Sequence, residues 1–200
     1  LTSTATSFAY VIAGASAGRP LAPLGPRLTE HELAPCVEDV LARRNRALFL
    51  DRVSNALERS RRTFLRVAVL FIDIDDFKLV NDAWGHDMGD LLLQSFVTRL
   101  ESALGVHGMV ARLAGDEFAA VLNDVPGGDD LATILNELMT EVRKPFVLSD
   151  TPLTVTCSAG AVSCLGTEKI TDILLTTDKA MYRAKHAGKN CYRIASLYTS

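Results

Sequence analysis

An unbroken apolar run, residues 67–72, leads directly into three aspartates and is the feature that most constrains this fold. Consecutive apolar residues predict a central strand covered on both faces, because a strand with one wet face alternates with polar residues. The aspartates that follow are Asp73, Asp75 and Asp76. Like charges at the end of a buried strand are costly unless a cation or a partner compensates them. The run therefore predicts a central strand that ends in an acidic site.

A second acidic pair, Asp116 and Glu117, lies in a short turn between two strand-like segments, residues 109–113 and 118–122. These segments are predicted to pair as a hairpin. Carboxylate oxygens suit Mg²⁺, which usually takes one or two protein carboxylates together with waters and substrate phosphates. Neither acidic cluster contains His or Cys, which argues against zinc or iron. Carboxylates that only cap turns and helices are the alternative, and they are sufficient for either of the two adjacent aspartates of the first cluster taken alone.

Helix and strand signals alternate along the rest of the chain, which predicts an α/β or α+β sheet with helices packed on it. The predicted helices are a short one from Thr29 that ends or kinks at Pro35, then residues 45–62, 89–104, 131–142 and 170–186. The further predicted strands cover residues 153–157, 159–164 and 191–194.

The composition is that of an ordinary soluble globular chain, with 48% hydrophobic residues, 22% charged residues and a net charge of −3. This balance gives no overall attraction to nucleic acid or to an anionic membrane. The exception is the stretch from Arg43 to Arg66, which contains eight arginines. We interpret it as the solvated face of a helix, with phosphate or partner contact as the alternative. A nucleic-acid-binding module is disfavoured, because the stretch offers only Phe49 and Phe64 as aromatic platforms.

The amino-terminal part differs in composition from the remainder. Residues 1–27 are rich in Ala, Ser, Thr, Gly and Pro and are interpreted as a linker or the remnant of an upstream module. Residues 28–45 are interpreted as a connecting helical segment, and residues 46–200 as the main domain.

The cysteines and the apolar segments indicate the compartment. The four cysteines lack the spacing of a zinc site or a disulfide framework, so we expect reduced thiols in the cytoplasm. The apolar stretch at residues 8–15 is shorter than the roughly 20 residues that span a bilayer. We therefore expect no membrane contact within residues 1–200. The protein is predicted to be either wholly cytoplasmic or the cytoplasmic part of a membrane-anchored protein.

Two further polar groups could contact a nucleotide. The side chains of Asn81 and Asp90 can hydrogen-bond a purine edge, although an Asx turn and a helix cap would explain them equally well. Lys185 and Lys189 are four residues apart and are predicted to share one helix face. They could neutralise phosphates or simply favour a helix C-terminus.

The polar residues of this chain resemble those of the GGDEF (diguanylate cyclase) family over residues 45–195. The motifs that carry the resemblance are Asp73-Ile74-Asp75-Asp76-Phe77-Lys78-x-x-Asn81-Asp82-x-x-Gly85-His86-x-x-Gly89-Asp90, then Ala114-Gly115-Asp116-Glu117-Phe118, then Tyr182-x-Ala184-Lys185-x-x-Gly188-Lys189-Asn190. The resemblance implies an α+β fold with a central, mostly antiparallel sheet wrapped by helices, like the palm of nucleotide cyclases and polymerases. It also implies that residues 46–200 form the catalytic domain.

The resemblance implies that two GTP molecules are condensed into cyclic di-GMP and two pyrophosphates, with Mg²⁺ or Mn²⁺, in a homodimer. It further implies fused sensory or phosphodiesterase domains in the full protein. The alternative is a catalytically inactive GTP-binding regulatory domain of a larger signalling protein.

The family's motifs also imply roles for individual residues of this chain. Asp73 and Asp116 would hold the metal together with the backbone carbonyl of Ile74, and Glu117 would be a further ligand or help to deprotonate the attacking 3′-hydroxyl. Asn81 and Asp90 would bind the guanine edge, and the phosphates would be met by Lys78, Lys185, Lys189 and the backbone N–H groups near Asp76 and Phe77.

The chain departs from the family pattern in the signature turn, where Ala114 replaces the first glycine. If residues 113–116 form a type II turn, only Gly115 needs a positive φ. A type I′ turn would instead force Ala114 to a positive φ, at a cost of about 1–2 kcal/mol. Because every carboxylate is kept, we expect activity to be retained.

Two other departures concern regulation. In residues 38–46, which correspond to the family's Asp-x-Leu-Thr-x-Leu-x-Asn-Arg, only Asn45 and Arg46 are kept, so coupling to an input domain or dimer geometry is expected to differ. Gly105 and Gly108 occupy the positions of the family's Arg-x-x-Asp product-inhibition site. Glycine cannot replace a guanidinium that binds guanine and phosphate. We therefore expect no high-affinity product inhibition at that site.

Overall fold

The computed structural model describes residues 30–105, 108–125 and 128–197 of the 200-residue chain. The chain divides into two units, Leu1–Arg43 and Arg44–Ser200. The sheet, the core and the candidate site all belong to the second unit. The predicted linker at residues 1–27 lies outside the described residues.

The described residues form five helices and seven strands. The helices are α1 (Glu30–Thr63), α2 (Phe77–Trp84), α3 (His86–Leu104), α4 (Gly128–Val142) and α5 (Ile170–His186). The strands are β1 (Arg66–Ile74), β2 (Gly108–Ala114), β3 (Glu117–Val125), β4 (Phe146–Leu148), β5 (Thr151–Leu153), β6 (Cys157–Cys164) and β7 (Tyr192–Ala195). None of the helices in the described ranges is long and apolar enough to cross a membrane.

The main sheet has the order β2-β3-β1-β6-β7, so the apolar run predicted as the central strand is central. β1 pairs antiparallel with both β3 and β6, and β2 pairs antiparallel with β3. Only the β6–β7 pair is parallel among the described strands. The prediction of an α+β fold with a mostly antiparallel sheet is therefore confirmed. β4 and β5 form a separate two-stranded hairpin.

The two faces of β1 belong to different hydrophobic clusters. The even-numbered residues of β1 from 68 to 74 pack with α2, α3 and α4. The odd-numbered residues Val67 and Val69 pack on the opposite face with α1 and α5. Because side chains alternate along a strand, the odd-numbered Asp73 projects from the face that α5 covers. This alternation decides which helix can reach the acidic end of β1.

The amino-terminal helix differs from the prediction. α1 is continuous from Glu30 to Thr63, so the expectation that one helix ends at Pro35 and a second begins at Asn45 is wrong, while a kink at Pro35 stays a prediction. Pro35 is the sixth residue of α1, so the helix continues through it at the loss of one backbone hydrogen bond. Asn45 lies inside the helix, and its side-chain amide donates to the carbonyl oxygen of Arg112 at 3.3 Å.

A short helix was missed after β1, and the helix that follows it begins earlier than predicted. α2 occupies Phe77–Trp84, and α3 begins at His86, whereas the prediction began at residue 89. Gly85 has a φ of 83° and separates the two helices. A helix of eight residues carries too few periodic apolar positions for a clear sequence signal.

The segment predicted as a strand at residues 153–157 is mostly not a strand. The chain instead forms the β4–β5 hairpin, and β6 begins at Cys157. The hairpin turns at Ser149 and Asp150, whose φ values are 46° and 65°. Two consecutive positive φ values favour Asn-Gly or Gly-Gly, so the sequence Ser-Asp does not predict this turn. α5, by contrast, has the predicted bounds Ile170–His186.

α5 lies unusually close to β6 at Gly160. A Cβ atom on Gly160 would lie 2.2 Å from the backbone nitrogen of Met181 and 2.3 Å from the carbonyl oxygen of Thr177. Because these neighbours are backbone atoms, they cannot swing aside. The missing side chain therefore sets the height of α5 above the sheet, and with it the position of Lys185 one turn beyond Met181.

We expect Gly160→Ala to lower the free energy of unfolding by about 1–3 kcal/mol, because overpacking forces α5 away from β6. Urea denaturation followed by circular dichroism measures the loss. Val147→Ala is the control, since the Val147 side chain is 73% exposed and should change stability by at most about 0.5 kcal/mol. An equal, small effect for both variants would contradict the close packing of α5 on β6.

Candidate active site

The register of the sheet brings the two acidic clusters together. In the β1–β3 pair, Asp73 lies directly opposite Glu117. The backbone N–H of Ile74 donates to the carbonyl oxygen of Asp116 at 3.3 Å, which places the turn of the β2–β3 hairpin beside the end of β1. Directly opposed residues in an antiparallel pair have Cβ atoms about 4.5–5.5 Å apart. The predicted carboxylates therefore share one end of the sheet.

Asp73 is the buried carboxylate of this group, with a relative exposure of 6%. The Nζ atom of Lys185 lies 2.7 Å from its Oδ2 atom. Burial raises the pKa of Asp73, the hydrogen bond from Lys185 opposes that rise, and the charges of Asp116 and Glu117 add to it. Since the net direction is upward, the bond from Lys185 does not fully offset the cost of burying the ionised carboxylate beside two other acidic groups. A further cation would be stabilised here.

The residues present fit a hard divalent cation. Asp73 is buried, Asp116 is half-buried and Glu117 is exposed, so the exposure of the three side chains increases from the core to the solvent. Within the described ranges, no group of three or more His, Cys, Asp or Glu side chains is arranged to hold a metal by itself. Mg²⁺ commonly takes only one or two carboxylates and completes its shell with phosphate and water. The arrangement thus suits a metal that arrives with a phosphate ligand, and the role predicted for the Ile74 carbonyl stays a prediction.

The predicted phosphate lysines contact the first acidic cluster, but not from one helix face. α5 ends at His186, and Lys189 follows it with a φ of 62°, so the prediction of a shared face is wrong. The Nζ atom of Lys189 lies 2.6 Å from Oδ1 of Asp76, and this hydrogen bond raises the pKa of the Lys189 ammonium. Asp76 has a φ of 56° and begins α2 without a side-chain capping bond. Lys185 and Lys189 therefore pair with two different aspartates.

The predicted guanine-binding residues lie where α2 and α3 meet. Asn81 is inside α2, so the alternative that it forms an Asx turn or helix cap is wrong. A Cβ atom on Gly89 would lie 1.9 Å from Oδ1 of Asn81, so the glycine leaves the space that this amide occupies. That oxygen is buried and has no hydrogen-bond partner in the part of the chain that the structure describes. Asp90, which follows Gly89 on α3, is exposed.

The two remaining predicted contact residues occupy α2. Phe77 is half-buried and packs against the main hydrophobic cluster, so its side chain is structural while its backbone N–H stays a predicted phosphate ligand. Lys78 is exposed on α2.

Asp75 has a different role from its neighbours and was missed by sequence reasoning. Its buried carboxylate accepts hydrogen bonds from Oγ1 of Thr156 at 2.6 Å, Oγ of Ser158 at 2.7 Å and the backbone N–H of Asn190 at 2.9 Å. These donors satisfy the carboxylate internally. Ser158, a fully buried hydroxyl in an otherwise small and apolar strand, was the sequence signal that could have indicated a buried acceptor.

The signature turn accommodates Ala114 without backbone strain. Among residues 113–116 only Gly115 has a positive φ, of 48°, so the alternative that forces Ala114 into the left-handed region is wrong. The Nε atom of Arg112 donates to the carbonyl oxygen of Gly115 at 2.7 Å. Since Asn45 donates to the carbonyl of Arg112, α1 is linked to this turn through one side chain.

Gly108, one of the two positions that match the product-inhibition site, has little room for a side chain. A Cβ atom on Gly108 would lie 2.7 Å from Cβ of Leu104 and 2.9 Å from Cδ2 of Leu122. An aspartate could enter only if α3 and β3 shifted. The absence of product inhibition there stays a prediction, and this crowding supports it.

A cleft of about 480 Å³ adjoins the acidic cluster on the side of α1 and α5. Glu117, Arg46 and Asp178 contribute polar groups to its lining, and Phe71 and Leu113 contribute apolar surface. The lining residues do not include Asp73 or the two lysines. The cleft therefore lies beside the charged site and does not contain it.

Comparisons with known proteins agree on one family. The family model described as "Diguanylate cyclase, GGDEF domain" matches residues 39–191. MucR of Pseudomonas aeruginosa, a bifunctional diguanylate cyclase/cyclic di-GMP phosphodiesterase, is 36% identical over 149 residues, which are 74% of this chain and 22% of MucR. The diguanylate cyclase TpbB of the same organism is 36% identical over 155 residues, which are 76% of this chain and 36% of TpbB.

The solved structures agree with this result. A crystal structure of the GGDEF domain of TpbB from Pseudomonas aeruginosa matches with a TM-score of 0.71 and 35% identity, covering 76% of this chain and 96% of that domain. The chain spans only 22% and 36% of the lengths of MucR and TpbB. The likeness therefore concerns one domain of these relatives.

We expect Asp73→Asn to raise the free energy of unfolding at neutral pH. A folded-state pKa raised by burial means that the ionised carboxylate costs stability above that pKa, and that this cost disappears as the pH falls below the unfolded value of 3.8. The gain should therefore be present at neutral pH and vanish below pH 3.8. Urea denaturation at both pH values measures it, with Asp51→Asn on the exposed surface of α1 as the control. A variant less stable than the parent at neutral pH would show that the Lys185 bond outweighs burial.

Proposed function

This chain belongs to the GGDEF family of diguanylate cyclase domains, and on that premise we propose that it condenses two GTP molecules into cyclic di-GMP with release of two pyrophosphates. The convergence of both acidic clusters with two lysines at one end of the sheet is the single observation that carries this function. Asp73 lies opposite Glu117 and pairs with Lys185, while Asp76 pairs with Lys189. Phosphoryl transfer depends mainly on positioning and charge neutralisation, which such a group can supply.

The carboxylates would hold Mg²⁺, with Mn²⁺ as a substitute. Asp73 and Asp116 would be the main ligands with the backbone carbonyl of Ile74, and Glu117 would be a further ligand or accept a proton from the attacking 3′-hydroxyl. When bound, the metal supplies Lewis-acid stabilisation of charge on the phosphoryl oxygens. The pKa of Asp73 is raised mainly by burial despite the bond from Lys185, which supports this assignment because a bound cation would stabilise the ionised carboxylate.

The lysines would exchange partners when substrate binds. Lys185 pairs with Asp73, and Lys189 pairs with Asp76. A triphosphate with its metal would bring both the anion that the lysines prefer and the cation that Asp73 requires. Lys78 and the backbone N–H groups near Asp76 and Phe77, at the positive end of α2, would complete the phosphate contacts.

Asn81 and Asp90 would bind the guanine edge. Among the described residues, the buried Oδ1 atom of Asn81 has no hydrogen-bond partner, and Asp90, which follows Gly89 on α3, is exposed. Carboxylate and amide oxygens accept from the N–H groups that guanine presents. Buried acceptors without a hydrogen bond are uncommon in proteins, so a ligand N–H that donates to the side-chain oxygen of Asn81 would satisfy this acceptor.

The reaction would require a homodimer. The 3′-hydroxyl of each GTP attacks the α-phosphate of the other, and one chain offers a single set of these groups among its described residues. We propose that the complete protein carries sensory or phosphodiesterase domains, as the bifunctional MucR does by its name, and that this domain lies in the cytoplasm without contacts to nucleic acid or membrane.

A catalytically inactive GTP-binding regulatory domain is the second candidate. Ala114 in the signature turn and the altered residues 38–46 favour it. The methyl group of Ala114 would then crowd the nucleotide, or the changed upstream segment would prevent a productive dimer.

We expect the protein to form cyclic di-GMP from GTP and Mg²⁺, and Asp116→Ala to lower the rate by about a hundredfold or more, as loss of a group that stabilises transition-state charge does. Chromatography of the products measures both. Asp51→Ala on α1 is the control for losing an exposed carboxylate. The protein should be tested at high concentration or fused to a dimerising coiled coil, since a monomer holds half a site. A proven dimer that binds GTP without forming product would establish the regulatory alternative.

We expect Ala114→Gly to change product formation by no more than about twofold and to lower stability by about 0.5–1 kcal/mol, because Ala114 has an unstrained backbone. Gly115→Ala is the contrasting variant, expected to cost about 1–2 kcal/mol through its φ of 48°. Product assays and urea denaturation measure both. Activation of Ala114→Gly by tenfold or more would indicate that the methyl group obstructs the nucleotide.

A further inference from the structure

The loop that follows α5 has an unusual backbone. Gly188, Lys189 and Asn190 have consecutive φ values of 106°, 62° and 49°. The left-handed region is unfavourable for L-residues, and a run of such residues persists only where the surroundings impose it. Something outside the loop must therefore hold it.

The loop is held at two residues: the backbone N–H of Lys189 donates to the carbonyl oxygen of Ala184 on α5 at 3.3 Å, and Asn190 makes the contacts to other parts of the fold. The backbone N–H of Asn190 donates to Oδ2 of Asp75 at 2.9 Å. The guanidinium of Arg143 donates through Nε to the side-chain oxygen of Asn190 at 2.8 Å and through Nη2 to its backbone carbonyl at 3.0 Å. The end of β1 and the residue after α4 thus bind one loop residue from two directions.

The held loop directs Lys189 towards the first acidic cluster. Lys189 precedes Asn190, and its Nζ atom lies 2.6 Å from Oδ1 of Asp76. Asp76 is itself left-handed, with a φ of 56°, and directly follows Asp75. Asp75 therefore binds Asn190, the neighbour of Lys189, and Lys189 binds Asp76, the neighbour of Asp75.

We propose that Arg143 and Asp75 are positioning residues that hold the left-handed loop at residues 188–190 so that Lys189 is presented to the phosphates of a bound nucleotide. The phosphate role of Lys189 rests on the proposed function. The clamp itself rests on the hydrogen bonds of Asn190.

Arg143 suits this role because its planar fork satisfies two acceptors of the same residue at once. Arg143 is exposed, so removing its guanidinium leaves no buried charge and should leave the fold intact. Lys144, its neighbour, pairs instead with Oε1 of Glu141. Lys144→Gln is therefore a matched control that removes the same charge beside the same helix end.

Inorganic triphosphate with Mg²⁺ is the probe, because it reports phosphate binding without guanine. We expect Arg143→Gln to weaken triphosphate binding by about three- to tenfold, as loss of charged hydrogen bonds does, with guanosine affinity unchanged. The triphosphate affinity of Lys144→Gln should match that of the parent. The affinity of Arg143→Lys should fall between those of the parent and Arg143→Gln, because a lysine cannot bind both acceptors. Isothermal titration calorimetry measures these affinities.

Amide hydrogen exchange gives a readout that requires no ligand. The Asn190 amide should exchange about tenfold faster in Arg143→Gln while the amides of α5 keep their rates, since only the loop is released. Asp75→Asn, which places an amide NH₂ among three donors, should release the same amide. Ser158→Ala removes a bond on the other carboxylate oxygen and should lower stability without weakening triphosphate binding.

The outcomes separate this inference from the proposed function. Equal triphosphate affinity and equal Asn190 exchange in the parent and Arg143→Gln would overturn the inference, and so would the absence of triphosphate binding in both. Weaker triphosphate binding by Arg143→Gln would support it even if the parent neither binds guanosine nor forms cyclic di-GMP, in which case the proposed function alone fails.

Discussion

The pairing of β1 with its two antiparallel neighbours is the interaction on which the rest of the site depends. The same register sets Asp73 opposite Glu117 on β3 and opposite Ser158 on β6. Like charges directly opposite each other on two strands are destabilising, so the sheet holds these two carboxylates together at a cost in stability. The hydrophobic burial of β1 on both faces fixes this register, because a slip by one residue would turn its apolar side chains to the wrong face.

The positive charges of the site come from a different part of the chain and depend on how closely α5 packs. Gly160 allows the backbone of α5 to approach β6, and Lys185 then reaches Asp73. The loop after α5 returns Lys189 to Asp76 and Asn190 to Asp75. Each aspartate of the first cluster therefore has a partner from the end of α5 or the loop beyond it. These partners offset part, but not all, of the negative charge at this end of the sheet.

This internal neutralisation has a consequence for ligand binding. A metal alone would compete with Lys185 for Asp73, and a phosphate alone would compete with Asp76 for Lys189. A metal and a phosphate arriving together relieve both competitions, because each supplies the partner that the other displaces. Binding of the two should therefore be mutually favourable, as expected for a site that uses a nucleotide as its metal complex.

The sequence alone determined the central strand, the acidic hairpin and α5, because each has a strong local signal: an unbroken apolar run, two strands around a glycine turn, and a long amphipathic stretch. It also identified the carboxylates and lysines of the candidate site through their motifs. It did not predict α2, the β4–β5 hairpin or the continuity of α1 through Pro35, where local signals were short or misleading. Only the tertiary structure separated Asp75, bound by Thr156 and Ser158, from the exposed Asp76 beside it, and only the tertiary structure brought Arg143 to Asn190. Adjacent identical residues have the same sequence signal, and their roles diverge because burial and hydrogen-bond partners come from segments far away in the chain.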